Sequence, residues 1–235
     1  MHMGFGVFNR RFILPELRDA VRSVSADVVF LQEVHGTQQT YASRVAKWPT
    51  TSQYEVLAES LWPDFAYGRN AVYPKGDHGN ALLSKYPIVQ HENLDASVHG
   101  TEQRGLLHCV LAVPGHGQVH TVCVHLGLRE KHRRQQLDLL MALLGRIPAG
   151  APVIVAGDFN EWRLRADELL SGSGLHEVFV QAGGVPAKSF LARRPLLRLD
   201  RIYVRNATTH FPRVLTDGAW SHLSDHAPLA VEVRL

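Results

Sequence analysis

The sequence predicts a mixed α/β fold in which two sheets pack together with helices outside. Three observations lead to this prediction. Short apolar segments with the features of strands outnumber the helical segments, helical segments separate several of these strands, and no repeat or linker divides the chain. Its 235 residues are 45% hydrophobic and 20% charged, enough for a sizeable core. We therefore expect residues 1–235 to form one domain.

The first half of the chain begins with a helix and a buried strand. Apolar residues from Leu14 to Val24 recur at helical spacing, and Pro15 suits the first turn. Residues 27–33 have a continuous apolar centre, which is typical of a strand covered on both faces. Residues 41–61 are predicted to be helical in pieces broken at Pro49. Turn residues then separate four predicted strands, at 79–84, 88–93, 106–113 and 119–126.

The second half contains the clearest helix, predicted over residues 129–144. Its leucines fall on one stripe, its polar residues, Arg133 among them, are expected to face solvent, and it ends at Gly145. A buried strand at 152–156 leads into the segment Gly157-Asp158-Phe159-Asn160. Two further strands are predicted at 197–204 and 228–233.

Charge and leader sequence give coarse expectations about partners and location. A formal charge of +3 and a sequence pI near 9.0 favour polyanions over cations as partners, without identifying nucleic acid. No basic segment followed by an apolar stretch opens the chain, and no apolar run is long enough to span a bilayer. The sequence therefore predicts a cytoplasmic protein.

The two cysteines, Cys109 and Cys123, each lie in an apolar run and outside any ligand-spaced cluster, so we expect buried free thiols. If the runs flanking residues 114–117 form a hairpin, one residue of slip decides whether the two sulfurs share a face. A disulfide therefore stays open at this point.

Three acidic residues lie where loops gather functional groups on a rigid scaffold. Glu33, Asp158 and Asp225 each sit close to the end of an apolar segment. Taken singly, each is more commonly a solvated or turn residue. If the three converge, their carboxylates need a cation, and oxygen-rich sites suit Mg²⁺ or Mn²⁺.

Five short segments occur in a fixed order: Leu31-Gln32-Glu33, Val124-His125-Leu126-Gly127, Gly157-Asp158-Phe159-Asn160, Leu199-Asp200-Arg201-Ile202 and Ser224-Asp225-His226-Ala227-Pro228. Together they resemble the endonuclease/exonuclease/phosphatase superfamily over nearly the whole chain. The surrounding text, including the segment at 79–84, looks closer still to the bacterial YbhP-type branch. The resemblance implies a four-layer α/β/β/α sandwich and hydrolysis of a phosphodiester or phosphomonoester by metal-activated water.

The resemblance also implies roles for the acidic residues. Glu33 and Asp225 match family acids at the metal site, which takes Mg²⁺ or Mn²⁺. Asp158 matches the acid that orients or deprotonates the attacking water. Asn160 matches the amide that supports that acid and contacts the phosphate. A metal ion is consistent with these roles because it lowers the pKa of water.

Two histidines match family positions. His226 matches the imidazole that stabilises the phosphoryl group while hydrogen-bonded to a second acid, here Asp200. An imidazole held by a carboxylate can donate to developing negative charge. Alternatively, Asp200 forms an ion pair with a neighbouring arginine. His125 matches a further phosphate-contacting imidazole, and Arg104 matches a family position without an assigned role.

The sequence departs from the family pattern at its start. Family members open with a strand ending in a metal-binding Asn, followed by the segment matched here by His2-Met3-Gly4. That Asn would fall before Met1, so the resemblance predicts that the first family strand is missing and that a central ladder lacks a partner. The rival hypothesis is a catalytically weak family member that binds phosphorylated ligands. The substrate class stays open between nucleic acid, a phospholipid head group and smaller esters.

Overall fold

The computed structural model describes residues 4–5, 12–38, 45, 48–59, 61–98, 102–162 and 165–235. The predicted segment at His2-Met3 and most of residues 39–47, the start of the predicted 41–61 helical region, lie outside these ranges. Within that region the described part forms a helix at Gln53–Ala58.

The first sheet has three antiparallel strands and two helices beside it. Its strands are β1 (Val28–Gln38), β2 (Asp64–Tyr73) and β3 (Gly76–Ser84), in the order β1-β3-β2. Helices α1 (Leu14–Val24) and α2 (Gln53–Ala58) supply apolar residues that pack with those of β1 and β3. Pro15 lies in the first turn of α1, where backbone N–H groups have no hydrogen-bond acceptor within the helix, so proline costs no hydrogen bond there.

The second sheet has six strands in the order β4-β5-β6-β7-β9-β8. Its elements in chain order are β4 (Ile88–Asp95), β5 (Gly105–Val113), β6 (Gly117–His125), α3 (Glu130–Arg146), β7 (Val153–Asp158), α4 (Arg165–Ser171), β8 (His176–Glu177), α5 (Val178–Gly183) and β9 (Asp200–Arg205). Among the described strands of this sheet, the pairing of β6 with β7 is the one that is parallel, and α3 makes that crossover.

The chain ends in a separate two-stranded ribbon. Strands β10 (Thr208–Val214) and β11 (Leu229–Arg234) pair antiparallel and are joined through the short helix α6 (Trp220–Leu223).

Three apolar clusters define the layers. One joins α1 and α2 to the outer face of the first sheet, and another joins α3 and α4 to the outer face of the second. Between the sheets, residues of β2 and β3 pack against those of β5 and β6. This arrangement is the four-layer α/β/β/α sandwich that the resemblance implied.

A cavity separates β1 from β11. Strand β1 pairs with β3 on one edge, and β11 pairs with β10. Among the described residues no strand pairs with the other edge of either. The cavity between them has a volume of about 710 Å³ and is lined by the Val28–Gln32 and Leu229–Leu235 segments. Within the described chain, no strand bridges these two edges.

Several details differ from the sequence predictions. Strands β2 and β10 were not predicted, and β1 extends five residues beyond its predicted end. Arg133, predicted to face solvent, is buried, because its guanidinium donates hydrogen bonds to the carbonyl oxygens of Gly127 and Leu128. Cys109 and Cys123 are buried free thiols. No helix in the described ranges is long and apolar enough to cross a membrane.

Candidate active site

Strand register in the second sheet places three predicted site residues side by side. His125, the last residue of β6, pairs with Asp158, the last residue of β7. Asp158 in turn pairs with Asp200, the first residue of β9. Because β9 runs antiparallel to β7, the first residue of β9 lies at the same end of the sheet as the last residues of β6 and β7. The three side chains therefore share one end of the sheet.

Gly157 allows strands β6 and β7 to approach closely just before Asp158. Its φ is +146°, and a Cβ at this position would lie 1.9 Å from the carbonyl oxygen of Val124. A larger residue would push β7 away from β6 and displace the Asp158 carboxylate. Glycine is therefore required by the backbone itself at this position of the Gly-Asp-Phe-Asn segment.

Asn160 closes the turn that follows β7. Its φ is +50°, a conformation that asparagine tolerates better than most residues. Its backbone N–H donates to Asp158 Oδ1 at 2.8 Å, and its side-chain Nδ2 donates to the carbonyl oxygen of Leu126 at 2.9 Å. Asn160 thus holds one oxygen of Asp158 and ties this turn to the end of β6.

His226 reaches the same place from the loop before β11. Its Nδ1 lies 2.7 Å from Asp200 Oδ2. Its ring packs edge-on against that of Phe190, with 5.1 Å between the two ring centroids. The Asp200 carboxylate therefore pairs with His226. The neighbouring Arg201 does not pair with it, because its guanidinium donates to the carbonyl oxygens of Arg198, Asp200 and Glu161.

Asp158 lies between two imidazoles. Its Oδ2 is 3.7 Å from His125 Nε2 and 4.0 Å from His226 Nε2. Asp158, Asp200 and His226 each offer a ligand atom within 4.8 Å of the others. Two carboxylates and an imidazole are thus close enough to act on one small ligand.

The pair of His226 and Asp200 is an ion pair at neutral pH. Burial opposes the charged imidazole, but the negative charges of Asp200, Asp158 and Asp225 outweigh it and raise the pKa of His226 to about 9. Burial likewise opposes ionisation of Asp200, yet the charge of His226 and its hydrogen bond lower the pKa of that carboxyl group. His226 therefore donates a hydrogen bond to Asp200 through Nδ1, and its Nε2 carries a second N–H that faces Asp158 at 4.0 Å.

The pKa values of Asp158 and His125 shift in the direction opposite to those of Asp200 and His226. That of Asp158 is raised, and that of His125 is lowered. Burial, followed by the charge of Asp200, raises the pKa of Asp158, and Glu33 adds to this effect. Burial and the nearby guanidinium of Arg104 lower the pKa of His125 to about 3, so this imidazole is neutral. A carboxyl group with a raised pKa beside a cationic and a neutral imidazole is equipped for proton transfer.

Glu33 and Asp225 lie outside the close group formed by Asp158, Asp200 and His226. Glu33 lies at an irregularity of the β1–β3 pairing between Leu31 and Val34, with a φ of +54°, and such bulges redirect side chains. Its charge raises the pKa of Asp158 and acts on His125, so it lies near both. Asp225 acts on His226 by charge, and its Oδ1 accepts a 3.4 Å hydrogen bond from Ser224. Neither acid belongs to the compact group of three.

Comparison with known proteins decides the family. The model of the Endonuclease/Exonuclease/phosphatase family matches residues 10–226. The chain belongs to this family. The uncharacterised protein YbhP of Escherichia coli K12 is 56% identical over 237 residues, covering 100% of this chain and 94% of the relative. The resemblance to the YbhP-type branch is thereby confirmed.

Solved structures of other proteins share the fold, among them one described as an endonuclease/exonuclease/phosphatase. One from Beutenbergia cavernae superposes with a TM-score of 0.77 at 21% identity, covering 100% of this chain and 69% of the other. The structure of D. rerio TDP2 complexed with single strand DNA product has a TM-score of 0.67 at 19% identity, covering 94% of this chain and 91% of that one. At these identities the likeness concerns the fold.

Arg104 is a residue of this family member's site to which sequence reasoning assigned no role. It precedes β5, and its Nε donates to the same Leu126 carbonyl oxygen that accepts from Asn160, at 3.3 Å. Its Nη2 lies 3.2 Å from Glu102 Oε2, and its charge adds to the effect of burial, which is the main cause of the lowered pKa values of His125 and His78. An arginine immediately before a predicted strand was the available signal, but sheet pairing alone brings it to His125.

Proposed function

We propose that this chain hydrolyses a phosphoester with water in a reaction that depends on Mg²⁺ or Mn²⁺. The observation that carries the proposal is the meeting of Asp158, Asp200 and His226 within 4.8 Å, from two neighbouring strands and a distant loop. Membership of the endonuclease/exonuclease/phosphatase family supports the same chemistry.

The donor set fits a divalent cation. Burial is the first cause of the raised pKa of Asp158, and repulsion by the nearby carboxylates of Asp200 and Glu33 adds to it. A cation would relieve that repulsion. We assign Glu33 and Asp225 as its ligands, with Asp158 beside them. We assign His226 to the phosphate rather than to the cation, because its Nδ1 is held by Asp200. A bound cation would lower the pKa of water and neutralise phosphate charge.

The chain's own groups supply the remaining chemistry. Asp158, steadied through the backbone N–H of Asn160, takes a proton from water as the water oxygen bonds to phosphorus. His226, held by Asp200, donates a hydrogen bond to the phosphoryl oxygen on which charge develops. The bond from phosphorus to the ester oxygen breaks, and the leaving oxygen takes up a proton to become an alcohol. His125 and Asn160 contact the phosphate.

Metal dependence and two substitutions test the proposal. With a generic bis-aryl phosphate we expect activity with Mg²⁺ or Mn²⁺ and none with chelator. Asp158→Ala and His226→Ala should each lower kcat by roughly 10² to 10⁴. Asp138→Ala and His91→Ala, which change an exposed acid and an exposed histidine, serve as controls and should leave kcat unaltered. Full activity in both site variants would refute the assigned roles.

The rival is a catalytically weak protein that binds phosphorylated ligands. It predicts ligand binding without turnover under any metal. Nucleic acid is one candidate substrate, because the pI is near 9.0 and D. rerio TDP2 is described as complexed with a single strand DNA product. A panel of nicked and abasic DNA, single strands, phospholipid head groups and the bis-aryl phosphate, each with and without chelator, separates the candidates.

A further inference from the structure

The segment at residues 184–199 combines exposed apolar side chains with positive charge. Its exposed apolar residues include Leu191 at 44% and Leu196 at 63%. The same sixteen residues contain four basic side chains and no acidic one: Lys188, Arg193, Arg194 and Arg198. Leucines exposed in this way are not explained by packing within the described chain, and clustered exposed apolar residues commonly mark an interaction surface.

This segment contacts the loop before β11, which carries Asp225 and His226, at several points. Phe190 forms an isolated bridge with His226 and packs on its ring. The backbone N–H of Ala192 donates to the carbonyl oxygen of Asp225 at 2.8 Å, and that of Ala227 donates to the carbonyl oxygen of Ser189 at 2.8 Å. The exposed leucines and arginines are therefore carried by a loop fixed directly beside the imidazole that we assign to the phosphate.

Two neighbouring loops present further apolar side chains from the same end of the sheet. Leu128, three residues after His125, is 64% exposed, and Trp162, two residues after Asn160, is 50% exposed. The guanidinium of buried Arg133 lies 5.9 Å from the Trp162 ring centroid, which positions the indole. We call Leu128, Trp162, Leu191, Arg193, Arg194 and Leu196 the interfacial rim.

We propose that the interfacial rim docks on an anionic phospholipid surface and that the substrate is a phospholipid phosphoester presented there. The substrate class rests on the proposed hydrolase function, whereas the docking does not. Leucine and tryptophan side chains enter the boundary between head groups and acyl chains, and arginines beside them attract anionic lipids. The phosphate of a lipid head group is then brought to the site from which these loops project.

The chemistry of the rim favours a lipid over nucleic acid. Single-stranded nucleic acid is bound by aromatic stacking together with backbone cations. The rim supplies one tryptophan and three exposed leucines, and leucine offers no stacking face. Burial of a leucine in hydrocarbon gains free energy in proportion to its apolar area. The exposed leucines would therefore contribute to binding a bilayer but not to binding single-stranded DNA.

The reaction at that surface needs only water as co-substrate. The water oxygen bonds to phosphorus and gives up its proton to Asp158. The bond from phosphorus to one ester oxygen breaks, and that oxygen takes up a proton. A phosphodiester lipid thus gives an alcohol and a phosphomonoester, with no change of oxidation state.

Vesicle binding tests the docking without catalysis. We expect co-sedimentation with phosphatidylglycerol/phosphatidylcholine vesicles, weakened by salt, and much less with phosphatidylcholine alone. Arg193→Gln with Arg194→Gln should weaken binding about thirty-fold, and Leu191→Ser with Leu196→Ser about ten-fold or more. The matched controls, Arg213→Gln with Arg234→Gln and Val89→Ser with Phe211→Ser, change exposed residues elsewhere and should bind like the wild type.

Failure of the docking takes three recognisable forms. Equal binding by the rim variants and their controls would overturn it. So would wild-type binding of single-stranded DNA that loses affinity in the arginine variant while vesicles are ignored. A wild-type dimer that becomes monomeric in the leucine variant, with no vesicle binding, would assign the rim to a second copy instead.

Hydrolysis separates the docking from the proposed function. The leucine variant should release phosphate products from anionic vesicles about ten-fold more slowly than wild type, yet hydrolyse soluble bis-aryl phosphate at the same rate. Asp158→Ala should bind vesicles normally and hydrolyse neither substrate. Retained hydrolysis in Asp158→Ala would refute the catalytic assignment alone. Equal slowing of both substrates in the leucine variant would refute the docking role.

Discussion

The charge state of His226 depends on one neighbour more than on any other. Asp200 contacts its Nδ1 at 2.7 Å and is the first of the charges that raise its pKa to about 9 against the effect of burial. The cation is therefore present at neutral pH and is lost as pH rises through about 9. An enzyme that uses this cation to stabilise phosphoryl charge should lose activity over the same range.

Asp200→Asn should move that loss to lower pH. The amide keeps a hydrogen-bonding group near the imidazole but removes the charge that raises the pKa of His226, so burial will dominate and the cation will be lost earlier. We expect the alkaline limb of kcat/KM for the bis-aryl phosphate to shift down by at least one pH unit, roughly. Asp217→Asn, at an exposed acid, is the control. An unmoved limb in Asp200→Asn would show that His226 is not the group titrating there.

Three acids of the candidate site could be selected from their positions in the sequence, whereas Asn160, His125, Asp200 and His226 were selected only through the family resemblance. Glu33, Asp158 and Asp225 stood out because acids at the ends of apolar segments are positioned by the scaffold. The role of Arg104 could not be found in this way. Its effect on His125 depends on β5 lying beside β6, which no local pattern specifies.

At the scale of elements, periodicity predicted the long helices α1 and α3 but missed the short helices α4, α5 and α6 and the strands β2, β8 and β10. Helix α1 has the predicted bounds because apolar spacing, the early proline and burial all agree. Strand β2 contains Gly68 and Asn70, which lower strand propensity, and it forms because β3 pairs along its length. The burial of Arg133 had no local signal either, since its hydrogen-bond acceptors, the Gly127 and Leu128 carbonyl oxygens, lie in the preceding loop.

The junction of β8 and α5 should make stability depend on pH through Glu177. Its Oε2 accepts a 2.6 Å hydrogen bond from the N–H of Val180 at the start of α5, and burial raises its pKa to about 7. An acid whose pKa is higher in the folded state destabilises that state as pH rises from its unfolded pKa to its folded one. Glu177→Gln removes this titration while keeping an oxygen acceptor.

We therefore expect Glu177→Gln to gain stability relative to wild type between pH 5 and pH 8. The gain in the free energy of unfolding should reach roughly 2 to 3 kcal/mol at most. Urea unfolding at both pH values measures it. Glu232→Gln, at an exposed glutamate on β11, should show a nearly constant difference. A pH-independent difference for Glu177→Gln would mean that the carboxyl group titrates normally in the folded protein.

At the scale of the molecule, sheet order brings the site together. The acids of β7 and β9 meet because β9 lies between β7 and β8 and pairs antiparallel with both, and α3 makes the crossover that lets β6 and β7 lie parallel. Two packed sheets followed from the count and separation of strands. Their order did not, because many pairings satisfy the same pattern of apolar residues.

The cavity between β1 and β11 should be visible in hydrogen exchange. The amides of β6 are protected, since β5 and β7 pair with its two edges, whereas the Val28–Leu31 part of β1 has one edge on β3 and the other on the 710 Å³ cavity. Alternate amides of this segment that point toward the cavity should exchange at least a hundred-fold faster, roughly, than those directed at β3. The amides directed at β3 are an internal control for strand stability. Equal protection of both sets would mean that a partner strand covers this edge in solution, and the cavity would then be a strand-binding site rather than an open edge.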